Sequence, residues 1–315
     1  MKRCLVLGGN GFIGSHLAEA LVVSGFEVTI FDNREQKRPD IREDSIGYLQ
    51  GDFLNENDLA RALDGTDYVF HFISMTLPGP SLESPVYDIE SNVIGTVRLL
   101  QQCCKAGVEK IIFPSSGGTV YGEPDTIPVR ETDPVRPVHP YAISKVTIEM
   151  YLRSFYELHG LDYLILRYAN PYGERQMPFG NQGVIPIFLH AIMKGRSPVI
   201  YGDGSMVRDY IYISDLVDAT IAIVKKDPPE RLFNVGSGRG TSVHELLGTM
   251  AEVLGVEINP LYADPPGTYL SRIILDISRM QHYGLEAPGQ PCRRHRADLP
   301  LAGEPALTIS KKIEL

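Results

Sequence analysis

The chain has 315 residues, of which 43% are hydrophobic and 22% are charged. This composition supplies enough apolar side chains for a large buried core, and it excludes an intrinsically disordered chain or a disulfide-held miniprotein. The formal net charge of -9 argues against a broad nucleic-acid surface, which would need clustered lysine and arginine. We therefore expect a protein that binds no nucleic acid.

The start of the chain and its cysteines and histidines exclude further classes. Residues 4–7 are apolar but end at a glycine pair, too soon for a signal peptide, and no apolar run approaches the roughly 18 residues of a membrane span. The four cysteines have no C-x-x-C spacing and the eight histidines form no H-x-x-x-H pair. We expect a cytoplasmic protein with no metal and no membrane association.

Short apolar runs alternate with longer amphipathic segments through the first half of the chain. Strands are predicted at residues 4–7, 28–31, 68–72, 110–113 and 163–167. Helices are predicted near residues 12–24, 56–63, 92–106 and 141–159. This alternation is typical of a doubly wound parallel sheet, a Rossmann α/β fold, which binds ligands beyond the carboxyl ends of its strands.

The pattern changes after about Pro171, where loops rich in glycine, proline and tyrosine appear. Helices are predicted there near residues 184–194, 214–226 and 242–254. We interpret residues 1–170 as a dinucleotide-binding domain that carries the catalytic residues. Residues 171–315 are interpreted as a smaller α/β substrate-binding region, partly interwoven with the first.

A glycine-rich turn, GGNGFIG, follows the first strand directly and opens a helix. Such a turn lets a dinucleotide pyrophosphate approach the backbone and sit on the helix N-terminus, where free N–H groups favour an anion. Asp32 ends the second strand, where a carboxylate can bind both ribose hydroxyls and repel a 2′-phosphate. NAD is therefore the predicted cofactor, although Arg34 weakens the preference over NADP. The predicted contacts in the turn are Gly8, Gly11, Phe12, Ile13 and Gly14.

Tyr141 and Lys145 are four residues apart at the start of a predicted helix and therefore share one face. A free phenol has a pKa of about 10 and is a poor base at neutral pH. A neighbouring ammonium and an oxidised nicotinamide both favour the phenolate. Lys145 could also hold the nicotinamide ribose. The same spacing also occurs between two solvent-exposed side chains on one helix, so the prediction of acid–base chemistry depends on the dinucleotide turn upstream.

Several blocks together resemble the extended short-chain dehydrogenase/reductases, and among these the nucleotide-sugar epimerases of the UDP-glucose 4-epimerase type. The resemblance extends over about residues 1–286 and implies a nucleotide sugar, a UDP-hexose, as substrate. It also implies a homodimer formed through the helices near 92–106 and 141–159. The blocks that carry it are residues 8–14, 32, 51–53, 70–72, 91–96, 141–145, 166–173 and 201–215.

The resemblance implies roles for residues that spacing alone does not single out. Asn170 would contact the sugar diphosphate, and Arg208, a planar fork able to bind two oxygens, would be the phosphate ligand. Arg175 is a weaker candidate that could equally form an ion pair. The cofactor residues that the resemblance adds are Asn33, Asp52, Phe53, Phe72 and Asn92.

The third catalytic group of the family is a serine or threonine after the strand at 110–113. Counting forward from Phe113 gives Ser116, whereas counting back from Tyr121 gives Gly117, because this segment has one extra residue. A glycine has no side-chain donor, so Ser116 is the predicted residue. Related dehydratases have an Asp-Glu pair, and decarboxylases a glutamate, where this chain has Gly117 and Gly118, which favours epimerisation or keto-sugar reduction.

Two segments depart from the family pattern. A second phosphate-binding arginine of the family falls here on Pro265 and Pro266, and Arg272 is the nearest replacement. Residues 289–305 contain three prolines and a basic cluster at 293–296 where the family continues into a helix.

The leading hypothesis is NAD-dependent epimerisation at C4 of a UDP-sugar, of the glucose or the N-acetylglucosamine series, through a 4-keto intermediate. An NAD(P)-dependent keto-sugar reductase with the same catalytic set is the first alternative. A non-catalytic dinucleotide-binding protein is the second.

Overall fold

The computed structural model describes residues 1–76, 78–178, 183–265 and 270–283. Its strands, numbered in chain order, are β1 Arg3–Leu7, β2 Glu27–Asp32, β3 Gly47–Gln50, β4 Tyr68–His71, β5 Lys110–Ser116, β6 Asp162–Tyr168, β7 Asn170–Tyr172, β8 Val199–Tyr201, β9 Val207–Arg208, β10 Tyr210–Tyr212, β11 Leu232–Val235, β12 Thr241–Ser242, β13 Leu261–Ala263 and β14 Arg272–Ile273.

The α-helices lie mostly between these strands. They are α1 Phe12–Val23, α2 Glu56–Leu63, α3 Pro78–Glu83, α4 Pro85–Asp88, α5 Gly95–Ala106, α6 Pro140–His159, α7 Val184–Met193, α8 Ile213–Lys226, α9 Val243–Leu254 and α10 Ser278–His282. Between α4 and α5 the segment Ile89–Ile94 forms a π-helical turn. None of the helices in the described ranges is both long and apolar enough to cross a membrane.

Seven strands form one parallel sheet in the order β11-β6-β5-β4-β1-β2-β3. The strand order reverses between β1 and β4, so the connections wind outward in both directions from this point. This arrangement confirms the predicted doubly wound Rossmann fold. It also brings the carboxyl ends of β1, β4, β5 and β6 to one edge of the sheet, where ligands of such folds bind.

The sheet is buried on both faces, which explains the continuous apolar strands in the sequence. Val6 of β1 packs in a core with α1 and α8, whereas its neighbours Leu5 and Leu7 pack in a second core with α2, α5 and α6. Successive strand side chains point to opposite faces, so one short strand joins both cores. A third, smaller core lies under α7 and α9.

The predicted strands and helices are all present, with boundaries shifted by up to a few residues. The largest shifts are of three residues: β5 continues to Ser116, and α5 starts at Gly95 because the preceding residues are π-helical. Strands β3 and β11 were not predicted. β3 is largely unburied, and β11 is a four-residue strand with a buried Asn234 at its centre, so neither has a clear apolar run.

The second half of the chain contributes directly to the first. Strand β11 pairs with β6 in the central sheet, and α8 packs against α1. The remaining strands form small sheets, β7 with β10, β8 with β13, and β9 between β12 and β14. The division at residue 170 stays a prediction.

Candidate active site

The glycine-rich turn lies at the carboxyl end of β1, beside the end of β4. Gly8 has a φ of +77°, and a Cβ added there would lie 3.0 Å from the carbonyl carbon of Phe72. A Cβ at Gly14 would lie 2.5 Å from the Gly8 carbonyl oxygen. Gly11 is the N-cap of α1 and forms no side-chain hydrogen bond to the helix. The first N–H groups of the helix, from Phe12 and Ile13 onward, are therefore available to an anion.

Asp32 is anchored beside this turn. Its Oδ2 accepts a hydrogen bond from the Asn10 N–H at 3.1 Å, and its Oδ1 accepts one from the Arg34 N–H at 3.3 Å. Asn33 is exposed next to it, and its carbonyl accepts a hydrogen bond from Gln50 at 3.4 Å across to β3. The structure therefore brings Asp32 and Asn33 to the turn, as a ribose site requires.

Asp52 and Phe53 follow β3, the strand that pairs with β2. The Asp52 carboxylate accepts the N–H of Leu54 at 2.9 Å. The Phe53 ring is only 4% exposed and stacks on His71 with 5.1 Å between ring centroids. The Phe53 side chain belongs to the core, and its contact with the cofactor stays a prediction.

Tyr141 and Lys145 lie in the first turns of α6 and are brought together as predicted. Lys145 is 6% exposed, and its Nζ donates a hydrogen bond to the Pro114 carbonyl at 2.8 Å. The same Nζ lies 4.5 Å from the ring centroid of Phe113 and 5.6 Å from that of Tyr141. The lysine thus links α6 to β5 and directs its charge at the tyrosine ring.

Burial shifts the pKa of both side chains. It raises the pKa of Tyr141 well above the usual range, and the Asp88 carboxylate raises it further. It lowers the pKa of Lys145 to about 8, against the opposing effect of Glu149 and Asp88. At neutral pH the lysine is therefore mostly charged and the phenol protonated, so ionisation of Tyr141 requires additional positive charge nearby.

These side chains line a narrow pocket at the carboxyl ends of β4 and β5. Asn92, in the π-helical turn, is 8% exposed and forms part of its wall. The Asn92 Oδ1 accepts the Met75 N–H at 2.9 Å, and its Nδ2 donates to the Thr76 hydroxyl at 2.8 Å. The other lining residues are Ile73, Ser74, Thr96, Phe113, Tyr141, Ser144, Lys145 and Ile148.

Asp88 was missed by the sequence analysis. Its carboxylate is fully buried and accepts hydrogen bonds from Thr76, Asn92 and Ser144. The stretch around it includes exposed apolar residues, so the local pattern gives no sign of burial. Its i, i+4 spacing to Asn92 is the one signal that could have drawn attention to it.

Ser116 is the last residue of β5 and pairs in register with Tyr168 of β6. In the turn that follows, a Cβ at Gly118 would lie 3.5 Å from the Asn170 side chain, so this turn and Asn170 are neighbours. A Cβ at Gly117 would lie 2.6 Å from Leu275 Cδ1. A side chain at position 117 would require Leu275 to shift, whereas one at position 118 would make ordinary contacts.

Arg208 is half-buried in β9, and its guanidinium donates to the carbonyls of Val207 and Leu270, each at 2.8 Å. Strand β14 pairs with β9 so that Arg272 lies opposite Val207. The structure thus places Arg272 one register position from Arg208. Pro266 and the tail at 289–305 lie outside the described residues.

Arg175 adopts a φ of +67° and forms an ion pair with Glu19 at 2.6 Å and one with Asp40 at 3.7 Å. It connects the loop after β7 to α1 and to the loop after β2. Of the two interpretations left open for this residue, the structure supports the ion pair, because both carboxylates are its partners.

Residues 4–236 match the NAD dependent epimerase/dehydratase family. The chain belongs to this family. Membership confirms NAD as the cofactor and confirms the resemblance to nucleotide-sugar epimerases. A UDP-glucose 4-epimerase from Mycolicibacterium smegmatis is 36% identical over 283 residues, which cover 88% of this chain and 90% of the relative.

Other members of the family are equally similar but carry out a different reaction. A dTDP-4-dehydro-6-deoxyglucose reductase from Escherichia coli is 36% identical over 284 residues, covering 87% of this chain and 89% of the relative. The crystal structure of UDP-glucose 4-epimerase from Thermotoga maritima with UDP-glucose superposes with a TM-score of 0.85 at 37% identity, covering 91% of this chain and 94% of that one. Family membership therefore leaves the reaction to the residues of the site.

Proposed function

We propose that this protein is a UDP-hexose 4-epimerase that retains its NAD through the reaction. The observation that carries the proposal is the pairing of Tyr141 and Lys145 in one pocket, with glycines and no acidic side chain at positions 117 and 118 after β5. Acid–base chemistry at one hydroxyl needs only such a pair. Elimination of water needs further acidic groups, and Gly117 and Gly118 supply none.

Tyr141, as phenolate, removes the proton from the sugar 4-hydroxyl, and Ser116 donates a hydrogen bond to the same oxygen. NAD, held at the glycine-rich turn and by Asp32, would supply the hydride acceptor for C4 and the hydride donor to the opposite face of the ketone. Lys145 holds its ammonium beside the tyrosine ring and lowers the cost of the phenolate charge. Tyr141 then returns the proton to the new hydroxyl, so no net oxidation occurs.

The substrate diphosphate would be held by Arg208. Arg272 lies opposite Val207, and because successive strand side chains alternate between faces, it points to the other face of this small sheet from Arg208, so the register does not support it as the replacement for the arginine missing at Pro265. Asn170, which donates to the Asp209 carbonyl at 2.9 Å and lies beside Gly118, would contact the sugar end of the diphosphate.

The protein would act as a homodimer. Exposed apolar side chains cover α4, the π-helical turn and the outer face of α6, a pattern that marks protein–protein contact surfaces. A second copy is the proposed partner, because the helices near 92–106 and 141–159 form the dimer in the family that the sequence resembles, and this surface includes Ile94 and the outer face of α6. The exposed side chains are Val86, Tyr87, Ile89, Ile94, Ile143, Met150, Tyr151 and Leu158. Light scattering on purified protein should give twice the mass of 34.9 kDa.

Proton NMR with UDP-glucose and with UDP-N-acetylglucosamine tests the reaction directly. Purified protein with no added cofactor should produce the anomeric signal of the 4-epimer from at least one of these substrates. The signal would establish epimerisation with retained NAD and identify the preferred substituent at C2. Folded protein that produces neither signal, even after NAD is added, would contradict the proposal.

The second candidate is an NAD(P)H-dependent reductase of a 4-keto nucleotide sugar, favoured by the 36% identity to the Escherichia coli reductase. It would use the same Ser116, Tyr141 and Lys145 but consume one reduced cofactor per product. A loss of absorbance at 340 nm proportional to product would identify it. An epimerase that retains its cofactor would show no such proportional loss.

A further inference from the structure

Asp88, the last residue of α4, carries a fully buried carboxylate beside the pocket. Its Oδ1 accepts hydrogen bonds from the Thr76 hydroxyl and from Asn92 Nδ2, the latter at 3.1 Å, and its Oδ2 accepts one from the Ser144 hydroxyl. All three donors are neutral, and no ion pair to Asp88 occurs within the described ranges. A buried carboxylate without a cation is costly, so the presence of this charge needs a reason.

The hydrogen bond from Ser144 connects Asp88 to the helix that carries the acid–base pair. Ser144 lies three residues after Tyr141 and directly before Lys145, so the three side chains share one side of α6. Fixing Ser144 therefore fixes the rotation of α6 about its axis. The start of the same helix is held a second time, because the Tyr141 N–H donates to the Ser81 hydroxyl of α3 at 3.2 Å.

The hydrogen bond from Asn92 connects Asp88 to the opposite wall of the pocket. Because Asp88 accepts from Nδ2, the amide oxygen of Asn92 is turned to the Met75 N–H. Thr76 donates to the same carboxylate and accepts from Asn92. A single side chain thus links the segment after β4, the π-helical turn and α6.

We propose that Asp88 is a positioning residue for the acid–base pair Tyr141 and Lys145. Its hydrogen bonds hold α6 and Asn92 in register across the pocket. The proposal rests on the roles that the proposed function assigns to Tyr141 and Lys145.

The charges around the pair show why a carboxylate differs from an amide at this position. Asp88 raises the pKa of Tyr141 and, together with Glu149, that of Lys145. Glu149 is already paired with Arg167, and His71 on β4 is neutral at physiological pH because burial lowers its pKa to about 3. Glu149 raises the pKa of Lys145 more than Asp88 does, but it is shared with Arg167, so Asp88 is the carboxylate acting on the pair that has no cationic partner in the described structure.

Two substitutions separate the charge from the hydrogen bonds. Asp88→Asn removes the charge but can keep all three contacts, since its amide oxygen accepts from Thr76 and Asn92 and its amide nitrogen donates to Ser144. Ser144→Ala removes one contact and keeps the charge. Asp209→Asn is the matched control, because Asp209 is equally buried and bound by neutral donors, mainly Ser237, but acts on neither member of the pair.

The titration of Lys145 supplies a readout that needs no turnover. In protein labelled with ¹³C at the lysine Cε, the Lys145 signal is assigned by its loss in Lys145→Arg, and its midpoint should lie near pH 8 in the parent protein. We expect a lower midpoint in Asp88→Asn and an unchanged midpoint in Ser144→Ala and Asp209→Asn. A purely structural residue would not change the Lys145 midpoint. A parent-like midpoint in Asp88→Asn would therefore overturn the role of the Asp88 charge.

Turnover supplies the second readout. Ser144→Ala should lower kcat about tenfold with little change in KM, because a misplaced acid–base pair affects the chemical step. A parent-like kcat in Ser144→Ala would overturn the positioning role of Asp88. If Asp88→Asn does not fold, the kcat of Ser144→Ala alone decides whether Asp88 positions the pair. Absence of epimerisation by the parent protein would reject the proposed function, while the lysine titration would still decide the role of the Asp88 charge.

Discussion

Glu149 and Arg167 form a buried ion pair in which two hydrogen bonds, of 3.0 and 2.6 Å, join helix α6 to strand β6. The Ser115 hydroxyl donates to the same glutamate at 2.5 Å, and the Arg167 guanidinium lies 4.8 Å from the ring centroid of Tyr121. The pair lies one turn beyond Lys145 on α6. It therefore anchors the helix from the sheet side, opposite the contact that Ser144 makes.

Removing one member of this pair should be strongly destabilising. Arg167→Met leaves Glu149 buried without its cation, and we expect a loss of about 3–5 kcal/mol in the free energy of unfolding. The double substitution Glu149→Gln with Arg167→Met should recover much of that loss, because no uncompensated charge remains. Urea denaturation of the parent and the two variants measures both effects. Equal losses in the single and double variants would contradict this view of the pair.

Tyr141→Phe should lower kcat by roughly 10²–10⁴-fold, because this variant has no phenolate to remove the proton of the sugar hydroxyl. Bound NAD, measured after denaturation of the purified protein, should be unchanged. Ser116→Ala should lower kcat less, since it removes a hydrogen bond and not the base. Near-parent turnover of Tyr141→Phe in protein shown to contain NAD would refute the assignment.

Gly117 and Gly118 form a matched pair for testing the space in this turn. Gly117→Ala should destabilise the protein by about 1–3 kcal/mol, because its Cβ would lie 2.6 Å from a Leu275 methyl and 3.0 Å from the Arg167 carbonyl oxygen. Gly118→Ala should be tolerated, because its nearest neighbour, the Asn170 side chain, lies at an ordinary 3.5 Å. Thermal unfolding of the two variants provides the comparison. Equal melting temperatures would show that the turn adjusts freely.

Lys145 should make stability depend on pH at alkaline values. Its folded-state pKa of about 8 lies below the ordinary value of 10.5, so between these two values the unfolded chain binds more protons and stability rises with pH. Lys145→Met should therefore be more stable than the parent at pH 7 by up to roughly 3 kcal/mol, an advantage that shrinks toward pH 10.5. Denaturant unfolding at several pH values tests this. A constant difference across the range would contradict it.

Arg208 and Arg175 should behave differently although both are arginines near the substrate region. Arg208→Ala should raise KM for the nucleotide sugar about tenfold or more with a smaller effect on kcat, as expected for loss of a phosphate contact. Arg175→Ala should leave KM unchanged and lower stability, because its partners are Glu19 and Asp40. A rise in KM in Arg175→Ala but not in Arg208→Ala would show instead that Arg175 is the phosphate contact.

Some features of the site could be predicted because their signals are local. The turn at Gly8 requires a positive φ and close backbone approach, and only glycine satisfies both, so the residue type reveals the backbone. Tyr141 and Lys145 are one helical turn apart, so their spacing fixes their shared face. Burial of Phe53 in the core and of Asp88 beside the pocket could not be predicted, because each depends on residues far away in the chain.

The sequence by itself determined the alternation of strands and helices, the dinucleotide turn and the acid–base pair, since apolar periodicity and residue spacing act over a few residues. Only the tertiary structure decided that β11 joins the central sheet, that Arg175 is an ion-pair partner, and that Asp88 lies under the same pocket as Lys145. Those relationships arise when distant segments pack together. The contacts that stabilise these relationships form between different elements, so the sequence of a single element carries no periodic signal of them.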